Sequence, residues 1–184
     1  MPQLSLDDIR AGAERARVGV RPPPVESWHP DLSGDIDIRI ARDGTWYHEG
    51  GLIARLELVR LFAALLRREG DEYFLVTPVE KWRIQVEDAP FAIVALACER
   101  DAGGTQQLVF ATNVGDQVIA GPGHPLRCEH DAGGRGATPY LRVRHNLDGL
   151  LSRPVYYELA GITQPAPGGE GHGVYSGGVF FRLD

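Results

Sequence analysis

The sequence predicts an α+β fold in which one strand–helix–strand unit occurs twice, once in each half of the chain. Three observations carry this expectation. Residues 51–55 read GLIAR and residues 149–153 read GLLSR, an offset of 98 at both the Gly and the Arg. Each stretch follows an alternating strand (Ile38 to Ile40, Leu141 to Val143) and precedes a helical pattern, then a strand holding Tyr73 or Tyr175. Most of the remaining chain breaks into short alternating runs between Gly-, Pro- and Asp-rich turns. That pattern predicts antiparallel sheets, with the second half the richer in strands.

LSLDDIRAGAERAR opens a helix: Ser5 is an N-cap with Asp8 three residues on, and Leu4 can staple onto Ile9. RPPPVESWHP (Arg21 to Pro30) ends it as an extended strap anchored by Trp28. Helix and strap make up residues 1–27, an N-terminal α+β domain 28–88, and a C-terminal β-rich domain 89–184. Ile36, Ile38 and Ile40 alternate with Asp37 and Arg39, so this strand has one buried face, and Asp43-Gly44 turns it back. Leu58, Phe62, Leu65 and Leu66 recur at helical spacing, with Gly70 as the stop. Strands are expected at Tyr73 to Val76 and Trp82 to Glu87. FAIVALACER (Phe91 to Arg100) is apolar on both faces, as a central buried strand would be. QQLVFATN, QVIAGP, PLRCEH and PYLRVRHN read as further strands, HDAGGRG and QPAPGGEGHG as loops, and GVYSGGVFFRLD as a closing strand pair.

Composition narrows the function classes. With 43% hydrophobic and 24% charged residues over 184 positions, the chain reads as globular. A net charge of −6 repels nucleic acid and anionic membrane alike. The longest apolar stretch, Leu56 to Leu66, is broken by Glu57 and Arg60, so no membrane span is expected. The acidic start lacks a basic-then-apolar signal region. Cys98 and Cys128 form no CxxC and read as reduced, partly buried thiols, though they could also pair. Together these give a cytoplasmic expectation.

DGTWYHEGGLIARLELVRLFAALLRRE, LVTPVEKWRIQVEDAPF, TNVGD and YSGGVFF resemble a bacterial domain-of-unknown-function family, the one numbered 1285, from about Trp28 to the C-terminus. The resemblance implies a two-domain α+β fold built by duplication, with a C-terminal half similar to pleckstrin-homology-like folds. It also implies a candidate site where the halves meet and a role in signal transduction. It brings no activity and therefore no catalytic residues. The matched motif positions are Asp43, Gly44, Arg55, Thr77, Pro78, Glu80, Lys81, Glu87 and Asp88.

The stretch Leu75 to Phe91 concentrates ionisable groups of both signs in a sheet-forming segment. Thr77 precedes a proline, Pro78 fixes its own φ, and the loop is therefore stiff. Lys81, Arg83, Gln85 and Glu87 share one face of the next strand. They are either a solvated row of ion pairs, each worth about 0.2–1 kcal/mol, or the wall of a polar cleft covered by the other half. Arg55 and Arg153 fall at the starts of the two helices, where a cation opposes the helix dipole. That predicts a partner for each, either a carboxylate such as Glu80, Glu87 or Asp88, or a ligand. Arg142 and Arg144 alternate with Leu141 and Val143 and would add positive charge to one face of the C-terminal sheet. The candidate ligand-binding residues are thus Thr77, Glu80, Lys81, Arg83, Arg55, Arg153, Arg142 and Arg144.

Catalytic and metal templates fit poorly. The six histidines form no HxxxH or HxH pair, and with the cysteines give no zinc spacing. Ser176 lacks the GxSxG setting, and HDAGGRG lacks the GxxxxGK pattern. No cofactor and no catalytic residue is expected. The leading expectation is a binding or sensing module for a small polar, anionic molecule or a protein partner. The alternatives are an enzyme using Glu80 or Asp88 as general acid–base, and a structural protein-interaction domain.

Overall fold

The computed structural model describes residues 23–130 and 137–184. The helix expected over LSLDDIR lies outside the described residues. The chain divides into two compact units, the break falling between Asp88 and Ala89.

The first unit runs β1 (Leu32–Ile40), β2 (Trp46–His48), β3 (Gly51–Leu52), α1 (Leu56–Ala64), β4 (Leu66–Glu69), β5 (Glu72–Val76) and β6 (Lys81–Val86). Its sheet has the order β3-β2-β1-β6-β5-β4. Alternation in β1 works as expected: Ile38 and Ile40 are fully buried, with Trp46, Phe62, Leu65, Leu66 and Leu75 around them. The Trp46 and Phe62 rings lie 6.3 Å apart. Helix α1 ends earlier than the apolar spacing suggested. Leu65 caps α1 and accepts a hydrogen bond from Val76 N at 3.0 Å, and Leu66 opens β4, so the chain leaves the helix for the sheet at this pair. Gly70, with φ +61°, makes the β4–β5 hairpin turn and is not a helix stop.

The second unit runs β7 (Phe91–Arg100), β8 (Gln106–Thr112), β9 (Gln117–Ile119), β10 (Leu126–His130), β11 (Ala137–Arg144), β12 (Leu147–Leu151), α2 (Arg153–Ala160), β13 (Gln164–Pro165), β14 (His172–Ser176) and β15 (Val179–Arg182). It holds a six-stranded sheet, β10-β11-β12-β7-β8-β9, and a three-stranded one, β13-β14-β15. Ser176 ties β14 to the larger sheet. Its buried hydroxyl accepts from Leu108 N at 2.9 Å and donates to the Ala120 carbonyl at 2.7 Å.

Several expectations change. The sheets are not purely antiparallel: β1 pairs with β6, and β12 with β7, in parallel. Both are strands distant in sequence, and intervening elements return the second pointing the same way as the first. β7 is buried only at its start. Phe91 and Ile93 are fully buried, but Val94 is 51% exposed and Cys98 is exposed. β12 covers its neighbour only from Phe91 to Ile93, and a register shift between Ile93 and Ala95 interrupts the β8 ladder. The strap is anchored by Val25, which is 4% exposed, while Trp28 stays half-buried.

The two units share a repeat-like arrangement. In each unit a strand containing Gly-Leu leads into a helix and then into three antiparallel strands. Arg55 is the residue before α1 and Arg153 the first residue of α2, a difference of one position. In the first unit the three strands join the main sheet through β6 and β1; in the second they stand as a separate sheet.

Candidate functional site

The ionisable row on β6 is paired within its own unit. Lys81 Nζ lies 3.1 Å from Glu69 Oε2 and 5.0 Å from the centre of the Phe74 ring. Arg83 reaches Glu72 at 3.1 Å and Asp35 at 3.4 Å, on the two strands flanking β6. Glu87 pairs with Arg39 and accepts from Arg42 N at 3.0 Å, and Asp88 pairs with Arg42 at 3.3 Å. Burial works to raise the Glu69 carboxyl, but hydrogen bonds from Lys81 and Arg67 outweigh it and hold it below its ordinary value. The charge density of Leu75 to Phe91 thus has a local account, a ladder of cross-strand ion pairs.

Thr77 is buried and holds the turn that precedes this row. Its N donates to the Glu80 carbonyl at 2.9 Å, and its hydroxyl accepts from Glu80 N at 3.0 Å. The stiffness expected from Pro78 is therefore reinforced by a Thr-centred turn, and Glu80 closes it through its backbone.

The arginines separate. Arg55 and Arg153 are both exposed, and neither forms an ion pair with a described residue. The carboxylates proposed for them go elsewhere, Glu87 to Arg39 and Asp88 to Arg42. Arg142 and Arg144 do not share a face. Arg142 stands opposite Asp148 and Arg144 opposite Leu147, so a bulge between them switches the side. Arg142 Nε binds Asp148 at 2.6 Å, and Arg127 reaches the same buried carboxylate at 3.2 Å. Arg144 instead lies 5.1 Å from the centre of the buried Phe91 ring, with Asp116 at 3.7 Å. Burial lowers the Arg144 pKa, and Asp116 partly opposes the shift.

A recess of about 520 Å³ opens in the second unit, lined by Ala166, Pro167, Gly168, Glu170, Phe180 and Arg182. Two glycines build it. A Cβ at Gly173 would fall 2.6 Å from Phe180 Cζ and closer still to the Phe181 carbonyl, so only glycine lets the Phe180 ring lie over β14. Tyr175 supports that ring from 5.0 Å. Gly171 has φ +84°, and a Cβ there would run into the Asp184 carboxylate and lie 2.6 Å from Arg182 Nη2. Arg182 is held by Asp184, through Nε to Oδ1 at 3.2 Å and to the carbonyl at 3.1 Å. Desolvation acts to raise the Asp184 carboxyl; hydrogen bonds from His172 and Arg182 outweigh it and keep it below its ordinary value. No ion pair joins Arg182 to Glu170; Arg182 is paired instead with Asp184, and Glu170 and the Phe180 ring complete the lining. Among the described residues no group of three or more His, Cys, Asp or Glu side chains is placed to hold a metal ion.

Family models match both units: a domain of unknown function (DUF1285), N-terminal domain, over residues 23–89, and the DUF1285 C-terminal domain over residues 90–183. This chain belongs to the DUF1285 family. A crystal structure of a DUF1285 family protein from Silicibacter pomeroyi DSS-3 is 43% identical, with a TM-score of 0.84 over 95% of this chain and 93% of that one. A second, from Shewanella baltica OS155, is 32% identical, with a TM-score of 0.52 over 67% of this chain and 90% of that one. No curated protein matches the chain. No helix among the described residues is long and apolar enough to cross a membrane.

None of the residues singled out from the DUF1285 motifs lines the recess. Its signal in the sequence was the GEGHG stretch, read only as loop. Glycines at 171 and 173 around a strand start mark close approaches that other side chains would block, and such approaches commonly shape a site.

Proposed function

We propose that this DUF1285 protein is a small-molecule-binding module whose site is the β14–β15 recess of its C-terminal unit. The observation that carries the reading is that Arg182, held by Asp184 through its Nε, lines one concavity together with Phe180 and Glu170. A recess of about 520 Å³ falls in the size range of ligand pockets, about 300–1,000 Å³, and holds the usual mixture of an apolar wall and a few charged groups. Arg182 supplies a fork suited to a carboxylate or phosphate, and Asp184 fixes its direction. The ligand in this reading is small, polar and carries a negative group. A sensing role in cytoplasmic signal transduction belongs to the same proposal, as does a relation of the C-terminal unit to pleckstrin-homology-like folds.

The test is thermal unfolding of the full chain at constant ionic strength with 4-methylpentanoate, L-leucine and inorganic phosphate as probes. A bound probe raises the midpoint with its occupancy. The reading expects at least one probe to raise it in the wild type and not in Arg182→Gln. It is overturned if no probe does so, or if the variant responds as strongly as the wild type.

A further inference from the structure

We infer that two copies of this chain pair along the open edge of β7, antiparallel and across a two-fold axis at Cys98. The inference is independent of the recess. β12 covers β7 only as far as Ile93 and then gives way to α2. Among the described residues no strand continues that side of the sheet along Val94 to Arg100. The stretch Val94 to Cys98 reads VALAC and is exposed apart from the half-buried Leu96. Soluble proteins guard such edges with charge or Pro, and these five residues carry neither.

The backbone of this edge is set to receive a strand. In an antiparallel ladder, opposed residues point their N–H and C=O groups either at each other or away from each other. On β8, Leu108 N donates to Ser176 Oγ, the Leu108 carbonyl accepts from Ala120 N, and the Gln106 carbonyl accepts from Gly177 N. Leu108 and Gln106 therefore point away from β7. Their partners Cys98 and Arg100 point away from β8, and Leu96 does so by alternation. These three residues present N–H and C=O groups to the open side.

Leu96, Cys98 and Arg100 are symmetric about Cys98, so the strand that matches them is the same segment running the other way. With Cys98 opposite its own counterpart, Leu96 stands opposite the partner's Arg100 and Ala97 opposite the partner's Glu99. Every outward residue is then used, with about six hydrogen bonds across the axis. No like charges meet, because Arg100 Nη1 is turned back to its own hairpin, donating to the Gly104 carbonyl at 2.7 Å. A two-fold contact of this kind closes on itself and stops at the dimer. About six hydrogen bonds, at one per 100–200 Å², correspond to about 600–1,200 Å², the small end of specific interfaces.

Sedimentation velocity of the full chain under reducing conditions tests this, in a series reaching about 1 mM because the interface is small. The expected result is a concentration-dependent dimer in the wild type. Cys98→Lys places two ammonium groups across the axis and should raise the dimer Kd at least about tenfold. Ala97→Lys places an ammonium opposite the partner's Glu99, twice per dimer, and should lower it at least about twofold. Both positions are exposed, and circular dichroism confirms folding of the variants. Amide exchange should slow at Leu96, Cys98 and Arg100 in concentrated protein and stay unchanged at Ala97, whose backbone faces β8. A chain that stays monomeric throughout overturns the inference, even if the edge takes up a foreign extended peptide. A dimer indifferent to Cys98→Lys overturns it too. If Ala97→Lys is the variant that breaks the dimer, the axis lies elsewhere and the Cys98 pairing is wrong.

Discussion

Arg67 ties the N-terminal strap to the first sheet: its Nη1 donates to the carbonyl of Val25 at 3.0 Å and also to that of Trp28. Nη2 pairs with Glu69, and the side chain as a whole is almost fully buried. A buried cation is costly unless its donors are met; here two backbone carbonyls and a carboxylate meet those of the η nitrogens, while the buried Nε has no hydrogen-bond partner among the described residues. Replacing Arg67 with Met keeps most of the volume but strands both carbonyls. The expected cost is about 2–4 kcal/mol of unfolding free energy. Denaturant unfolding checks this, and a loss below about 0.5 kcal/mol would mean the strap is held by Val25 packing alone.

Glycine spacing makes a graded prediction in the second unit. A Cβ at Gly149 would lie 2.6 Å from Ile93 Cδ1 and 3.1 Å from Val143 Cγ2, both side-chain atoms that can shift. Gly149→Ala should therefore cost about 1–3 kcal/mol and be partly rescued by Ile93→Val, which removes the offending methyl. At Gly173 the obstacle includes the Phe181 backbone carbonyl, which cannot rotate away. Gly173→Ala should be the more damaging of the two. Equal midpoints for the two alanine variants would contradict this ordering.

The Gly149 junction also shows what the sequence made legible. The motif GL–x–x–R appears twice because both units need a strand-to-helix transition, and that local demand leaves a spacing readable in one dimension. Alternation served β1 well, since Ile38 and Ile40 face the core as expected. It failed at Arg142 and Arg144 because a bulge inserts one residue and no residue type announces it. It failed again at the end of α1, where Leu65 and Leu66 satisfied helical spacing, yet Leu65 only caps the helix and Leu66 begins β4. The recess escaped notice for a different reason. Its walls come from a loop and from β15, and only the folded chain brings Glu170 and Arg182 to one rim.

Acid sensitivity should centre in part on Glu69. Its folded pKa lies below the ordinary 4.5 because the Lys81 and Arg67 hydrogen bonds outweigh burial. A depressed carboxylate stabilises the fold fully above its unfolded value, and that contribution fades as pH falls through 4.5 and then through the lower folded value. Glu69→Gln should lose stability near neutral pH and approach the wild type in acid, as pH falls past the lowered folded value. Unfolding midpoints across this range provide the check, and a gap of constant size would show that Glu69 contributes through packing rather than charge.

The two thiols should differ sharply in reactivity. Cys128 is half-buried, and desolvation, aided by the Asp184 charge, pushes its pKa up to about 11, so at neutral pH it is a protonated thiol. Cys98 is free and exposed on β7. Iodoacetamide near neutral pH should alkylate Cys98 first, and Cys98→Ser should remove the fast phase. Peptide mapping by mass spectrometry reads the sites directly, and prior modification at Cys128 would be inconsistent with this environment.

Neighbouring residues on β7 give the sharpest contrast in burial. Ile93 is fully buried between β12 and β8, where Leu151 and Thr112 stand opposite it. Val94 is 51% exposed, one residue later, at the register shift where β12 has ended. A strand that was apolar throughout would treat the two alike, but the burial does not. Ile93→Ala removes side-chain methylenes from a packed site and leaves a cavity, so it should cost about 2–5 kcal/mol. Val94→Ala removes methyls already half in water and should cost no more than about 0.5 kcal/mol. Denaturant unfolding of the two single variants measures the difference. Comparable losses at both positions would mean that β7 stays covered well past Ile93, and would contradict the exposed strand end described above.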